Sequence, residues 1–145
     1  MIRVLILAGL LPLVSGCGRS GTWTDDKNNW TRAFQQEQPK DITVVHSWYC
    51  RTAHFTHESQ YFFQLAPNDT LRKSVSDPAR VFDVLPDDTN AQEALQLALY
   101  QKPSWFASKA ATAYQIFRGK PPQDNYFVLV ERDSGSIFIT ERIGM

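Results

Sequence analysis

The sequence predicts an α+β fold, an antiparallel sheet of about five to six strands with two or three helices packed on one face. Three patterns carry this. Residues 42–51 and 58–65 alternate as strands across a short link. Tyr126–Arg132 and Ser136–Arg142 flank the turn signal Asp133-Ser134-Gly135. Thr89–Lys102 repeats apolar residues at helical spacing.

Residues 1–17 come first in the chain. Met1-Ile2-Arg3 precedes an apolar run from Val4 to Val14, interrupted by Pro12, and then Val14-Ser15-Gly16-Cys17. A positive start, about ten apolar residues and a small-residue cleavage site make a secretory signal. The run is short of the roughly 20 residues that span a bilayer. Its last four residues also fit a bacterial lipobox, whose Cys is acylated before cleavage, so Cys17 is the expected lipid anchor. Several acyl chains on one Cys hold a protein stably on a membrane. Gly18 rather than Asp follows, which by the sorting tendency of lipoproteins favours the inner leaflet of the outer membrane. The expected organisation is a signal at 1–16, a tether at 17–24 and one globular domain at 25–145.

Removing residues 1–16 leaves 129 residues, enough for one domain with a real core. Arg3 departs with the signal, leaving 14 basic against 15 acidic residues. That balance gives no electrostatic footprint for nucleic acid. With Cys17 lipidated, Cys50 is the remaining thiol, so an internal disulfide is excluded and Cys50 is expected to be buried.

Gly18–Thr24 reads as a flexible Gly/Ser-rich tether. Asp25–Glu37 reads as a short helix with Trp30, Ala33, Phe34 and Glu37 on one face, ended by Pro39. Ile42–Arg51 reads as a strand with Ile42, Val44, His46, Trp48 and Cys50 on one face. In Glu58–Leu65 the set Ser59, Tyr61, Phe63 and Leu65 shares a face. Asn68 or Asp69 can cap a brief helix through Ser74. Arg80–Leu85 is a short strand. Thr89 with Gln92 forms a capping box for the helix that Pro103 stops. Ala113–Arg118 is a strand before the loop Gly119-Lys120-Pro121-Pro122.

Four constellations bear on chemistry. His46, Cys50, His54 and His57 are zinc-type ligands, but their spacing matches no standard zinc pattern. Cys50 beside a His is a minimal nucleophile pair, yet it sits mid-strand among apolar neighbours. The pairs Asp25/Asp26 and Asp87/Asp88 stand at helix starts, where capping accounts for them. The fourth is the aromatic and basic hairpin tip Trp48, Tyr49, Arg51, His54, Phe55 and His57, with Trp105 and Phe106 as a second aromatic pair. Trp, Tyr and Arg are the residue types enriched at interface hot spots. The same rings can instead fold inward over the sheet ends, and burial is the expectation for Trp105.

No catalytic set emerges, so the expectation is an anchored periplasmic binding module without a cofactor, not an enzyme. The chain also resembles the immunity lipoproteins that partner type VI secretion effectors, most of all those of Pseudomonas muramidase effectors. The resemblance rests on Val14-Ser15-Gly16-Cys17, the mature length, and the run from Trp48-Tyr49-Cys50-Arg51 to Ile137-Phe138-Ile139-Thr140. It implies a secreted, peptidoglycan-degrading muramidase as partner, inhibited by occlusion of its substrate groove. Related muramidases use calcium, which would belong to the toxin. A structural lipoprotein of the envelope and a periplasmic hydrolase are the alternative readings.

Overall fold

The computed structural model describes residues 20–53, 58–77, 82–84, 96, 99, 101–123 and 125–144. The signal, Cys17, most of the Thr89–Lys102 helix and residues 54–57 of the hairpin tip lie outside them. Among the described residues no helix is long and apolar enough to cross a membrane.

The architecture is mostly sheet. Seven strands run β1 (Gly21–Thr24), β2 (Val44–Arg51), β3 (Ser59–Leu65), β4 (Phe82–Val84), β5 (Tyr114–Gly119), β6 (Tyr126–Glu131) and β7 (Ile137–Ile143). Their order across the sheet is β1-β2-β3-β7-β6-β5-β4, every neighbouring pair antiparallel. Two meanders, β1-β2-β3 and β4-β5-β6-β7, thus meet where β7 docks on β3. Two α-helices are described, α1 (Asn29–Phe34) and α2 (Asp69–Val75), with a 3-10 turn at Ala111–Ala113.

The strand count exceeds the expected five to six because residues 21–24, read as tether, form edge strand β1. Thr22, Trp23 and Thr24 pair with Cys50, Tyr49 and Trp48 of β2. The exposed Thr, half-buried Trp, exposed Thr alternation is ordinary strand chemistry. The first helix is shorter than Asp25–Glu37. Asp25 (φ 50) and Gln35 (φ 54) both take the left-handed conformation, which a helix does not contain. Helix α2 begins as expected, with the Asn68 side chain accepting the Leu71 N–H at 2.8 Å.

Both faces of the sheet are apolar. One is built from Tyr49, Tyr61, Phe63, Leu65, Phe117, Val128, Val130, Ile137 and Ile139, and both helices cover it through Trp30, Ala33, Phe34, Leu71 and Val75. The opposite face carries Phe62, Tyr114, Ile116, Phe127, Leu129 and Phe138. It is covered by Leu99, Phe106 and Ala107, from the segment after the Gln96 turn. Phe106 is the plug, in edge contact with Phe62 (4.9 Å) and Phe138 (5.5 Å). Burying one such ring contributes about 2–3 kcal/mol.

The strand-face assignment of β2 fails at one point. Val44 pairs with Leu65 and His46 with Gln64, so Val45 is an extra, bulged residue. It is 48% exposed. The bulge reverses the alternation, and Val44 joins the face of Ser47 and Tyr49 rather than that of Trp48.

The β6–β7 hairpin closes as its sequence predicts. Gly135 supplies φ +73, and its N–H bonds the Glu131 carbonyl at 2.9 Å. The Ser134 hydroxyl donates to Glu131 Oε2 at 2.7 Å, and Lys109 pairs with Oε1. Lys109, followed by Ser134, holds the Glu131 carboxyl below its ordinary value of 4.5. A carboxyl that binds its proton more weakly when folded stabilises the fold above that ordinary value, and the contribution drains away as the pH falls below it. Glu131→Gln removes this dependence. Denaturation midpoints between neutral and acid pH should therefore fall less steeply in the variant; equal slopes would mean that the ion pair adds nothing to folding.

Candidate functional site

The β1–β2 side of the sheet gathers most of the residues singled out from sequence, but not as one patch. Strand alternation sends Trp48 and Cys50 to one face and Tyr49 and Arg51 to the other. Only residues on the same face can act together, so two sites result.

The larger is a groove of about 600 Å³ between α1 and the end of β1–β2, lined by Trp23, Asn28, Arg32, Gln35, Tyr49 and Arg51, with Thr31. Its floor is aromatic. The Trp23 and Tyr49 ring centres lie 5.9 Å apart at 44°. Tyr49 is only 6% exposed, so it is floor and not a protruding contact. The Trp23 ring lies back over Gly21, where an added Cβ would sit 3.0 Å from it. The Arg32 guanidinium stands 4.6 Å above the Trp23 ring, a cation–π contact.

That arrangement is held from behind. Arg32 Nη1 donates to Asp26 Oδ1 and to Asn29 Oδ1, each at 2.8 Å. Asp26 also accepts the Asn28 N–H at 2.8 Å. This N–H first, and Arg32 second, hold the Asp26 carboxyl below its ordinary value. Asn29 has no exposed surface, and its Nδ2 donates to the Trp23 carbonyl and to Ser47 Oγ, both at 3.0 Å. Asp25 completes the clamp, with its carboxylate accepting the Ser47 N–H at 2.8 Å. One buried amide therefore ties α1 to β1 and β2 together.

On the opposite face, half-buried Trp48 packs against Phe62 at 5.5 Å. Trp105 is also half-buried, not fully covered as expected, and stacks on His46 (5.3 Å, 29°). His46 Nδ1 lies 3.4 Å from Asp25 Oδ2. Phe106 is fully buried, which removes it from any contact surface. A smaller pocket of about 150 Å³ lies beside Trp48 and Cys50, with Glu58 and Arg142 in its lining. Cys50 is half-buried rather than buried and accepts the Thr22 hydroxyl at 3.5 Å.

His54, Phe55 and His57 lie outside the described residues, so the zinc-type set is described only at His46 and Cys50. Among the described residues no group of three or more His, Cys, Asp or Glu is placed to hold a metal ion. Sequence reasoning missed Trp23 and Arg32. Trp23 sat in the supposed tether, although Thr22-Trp23-Thr24 carries a strand signature. Arg32 follows Asn29 by three residues, the spacing that puts two helical side chains side by side.

No family of known proteins, no curated protein and no solved structure matches this chain.

Replacing Asn29 with Leu removes a buried donor from two acceptors, which costs roughly 2–3 kcal/mol. Arg32→Ala, at a partly exposed position, should cost about 1 kcal/mol. Urea unfolding of both variants checks that ranking; the reverse order would place the clamp at the ion pair instead of the amide.

Proposed function

We propose that the protein is a lipid-anchored binding module of the periplasm. It inhibits a peptidoglycan-degrading muramidase by occluding its substrate groove, and so protects the producing cell and its kin. The observation that carries this reading is the gathering of the partly open rings of Trp48, Trp105 and His46 on one face of the sheet. The lipobox ending in Cys17 supplies the location. A guard held where the toxin acts needs an anchor and a contact surface, not a catalytic set.

The mechanism is steric and electrostatic. Trp48 and Trp105 offer partly open rings that can lie against walls shaped for sugars. His46, stacked on Trp105, can donate a ring N–H to a catalytic carboxylate. Inhibitor complexes of this type reach high affinity at ordinary interface sizes. The chain itself needs no cofactor, and any calcium would sit on the enzyme.

Capture of the partner from a lysate of the protein's own species, followed by a wall-degradation assay, tests the reading. The captured protein should degrade peptidoglycan and be silenced by one equivalent of this chain. Trp105→Ala should raise the concentration needed for half-inhibition about tenfold, a loss of about 1.4 kcal/mol. A partner without activity on peptidoglycan would end the inhibitor reading.

A further inference from the structure

We propose that the end of the sheet where β1 begins rests on the membrane, its partner being the bilayer that holds the acyl chains of Cys17. The proposal rests on the anchor in the reading above, not on inhibition, and it adds which way the domain stands.

The tether sets the limit. Residues 17–24 read as tether in the sequence, but β1 takes the last four of them, starting at Gly21. Four peptide steps then separate Cys17 from Gly21, and whatever their conformation they reach at most about 14 Å. The first residue of the sheet is thus confined to a thin layer above the lipid.

The strand pairing shows what else lies at that level. Gly21 pairs with Arg51, Arg51 with Ser59 and Ser59 with Ile143, so one row crosses β1, β2, β3 and β7. The connection between Gly119 of β5 and Tyr126 of β6 lies at the same end. Val44, Leu65 and Ile137 form a row at the opposite end, next to the β6–β7 turn. β2 has 8 residues, which puts its two ends about 24 Å apart. With the Val44 end on the bilayer, Gly21 would stand about 24 Å above it, beyond the reach of its tether.

Two orientations satisfy the tether: upright, with the Gly21 end down, and edge-on, with β1 along the surface. Exposed apolar surface chooses between them. Ile143 is 42% exposed and closes the row on the fourth strand from the edge. Three strand spacings, about 14 Å, separate it from Gly21. Upright, Ile143 meets the lipid interface, where an apolar side chain leaves water. Edge-on, it stays in solvent. The exposed loop residues described at this end, Ala53, Pro121, Pro122, Gln123 and Asn125, carry no charge. The upright orientation also aims the contact surface. His46, with Trp105 stacked on it, stands about 15 Å farther from the lipid than Arg51, on the side from which a secreted partner arrives.

The test uses the mature acylated protein in vesicles of phosphatidylethanolamine and phosphatidylglycerol that carry a nitroxide on the headgroup. In a Cys50→Ser background a fluorophore is attached at Ala53→Cys or Gln123→Cys, at the tethered end, or at Asp133→Cys, in the β6–β7 turn; all three positions are exposed. The nitroxide should quench the Ala53 and Gln123 labels at least about threefold more than the Asp133 label, because about 20 Å separates the two ends. Ile143→Ser should cut the quenching at Gln123 about twofold, by admitting the edge-on orientation. Inserting about twenty Gly/Ser residues before Gly21 gives a tether spanning about 27 Å, longer than the strands, and should erase the contrast. Quenching at Ala53 alone would show the edge-on orientation, and equal quenching at all three positions free tumbling. Either result, or a contrast that survives the insertion, would overturn the proposal while leaving the anchor in place. Absence of the acyl mass on Cys17 would overturn the anchor together with the orientation.

Discussion

The seam between β3 and β7 is the constraint on which everything else in the molecule depends. It joins residues far apart in the chain, pairing Ser59 with Ile143 through to Leu65 with Ile137. Each meander alone would leave one long edge open, and an open edge invites pairing with other chains. The seam removes both edges from solvent and puts the most apolar strands at the centre. Tyr61, Phe62 and Phe63 are consecutive and at most 1% exposed, so the sheet is buried on both sides at this point. A polar contact reinforces it. Tyr61 donates its hydroxyl to Glu141 at 2.6 Å. Burial above all, with Tyr126 and Glu141 nearby, holds the Tyr61 phenol firmly protonated and keeps it a donor.

A sheet buried on both faces needs two covers, and this determines where the surface features fall. The helices occupy the face of Tyr61 and Phe63. Phe106 and its neighbours occupy the face of Phe62 and Phe138. Partly open rings remain on the β1–β2 side, Trp23 on the helix-covered face and Trp48 on the other. Alternation along β2 divides them, with Arg51 beside the groove and Trp48 and His46 on the far face near Trp105. The groove and the aromatic surface are thus two sides of one strand, held together by the buried Asn29 amide.

Much of this architecture was legible in the sequence. Period-two patterning located β2, β3, β5, β6 and β7, because their apolar residues face cores that are continuous along each strand. The Asn68 cap and the Gly135 turn were legible because each depends on a few adjacent residues. What escaped depends on contacts distant in sequence. β1 is four residues long, and only its pairing with β2 makes it a strand. The Val45 bulge is set by the register against β3, so the face of Val44 could not be read from β2 alone. Asp25 and Gln35 break the helix through backbone conformations that their residue types do not announce. The site was half legible. Tyr49 and Arg51 stood out by type, whereas Trp23 and Arg32 matter through what surrounds them. Phe106, singled out as a surface ring, proves to be the centre of a cover.

The proposed function places a recognition domain behind a lipid anchor, with its sheet organised by the central seam. Amide hydrogen exchange measures that seam directly. If the fold closes on β3 and β7, their amides exchange only through global unfolding, while those of the edge strands β1 and β4 exchange through cheaper local openings. The expected result is one shared, maximal protection for residues 60–64 and 138–142. Exchange there as fast as in residues 21–24 would show that the two meanders open independently, and the account of the fold would fail.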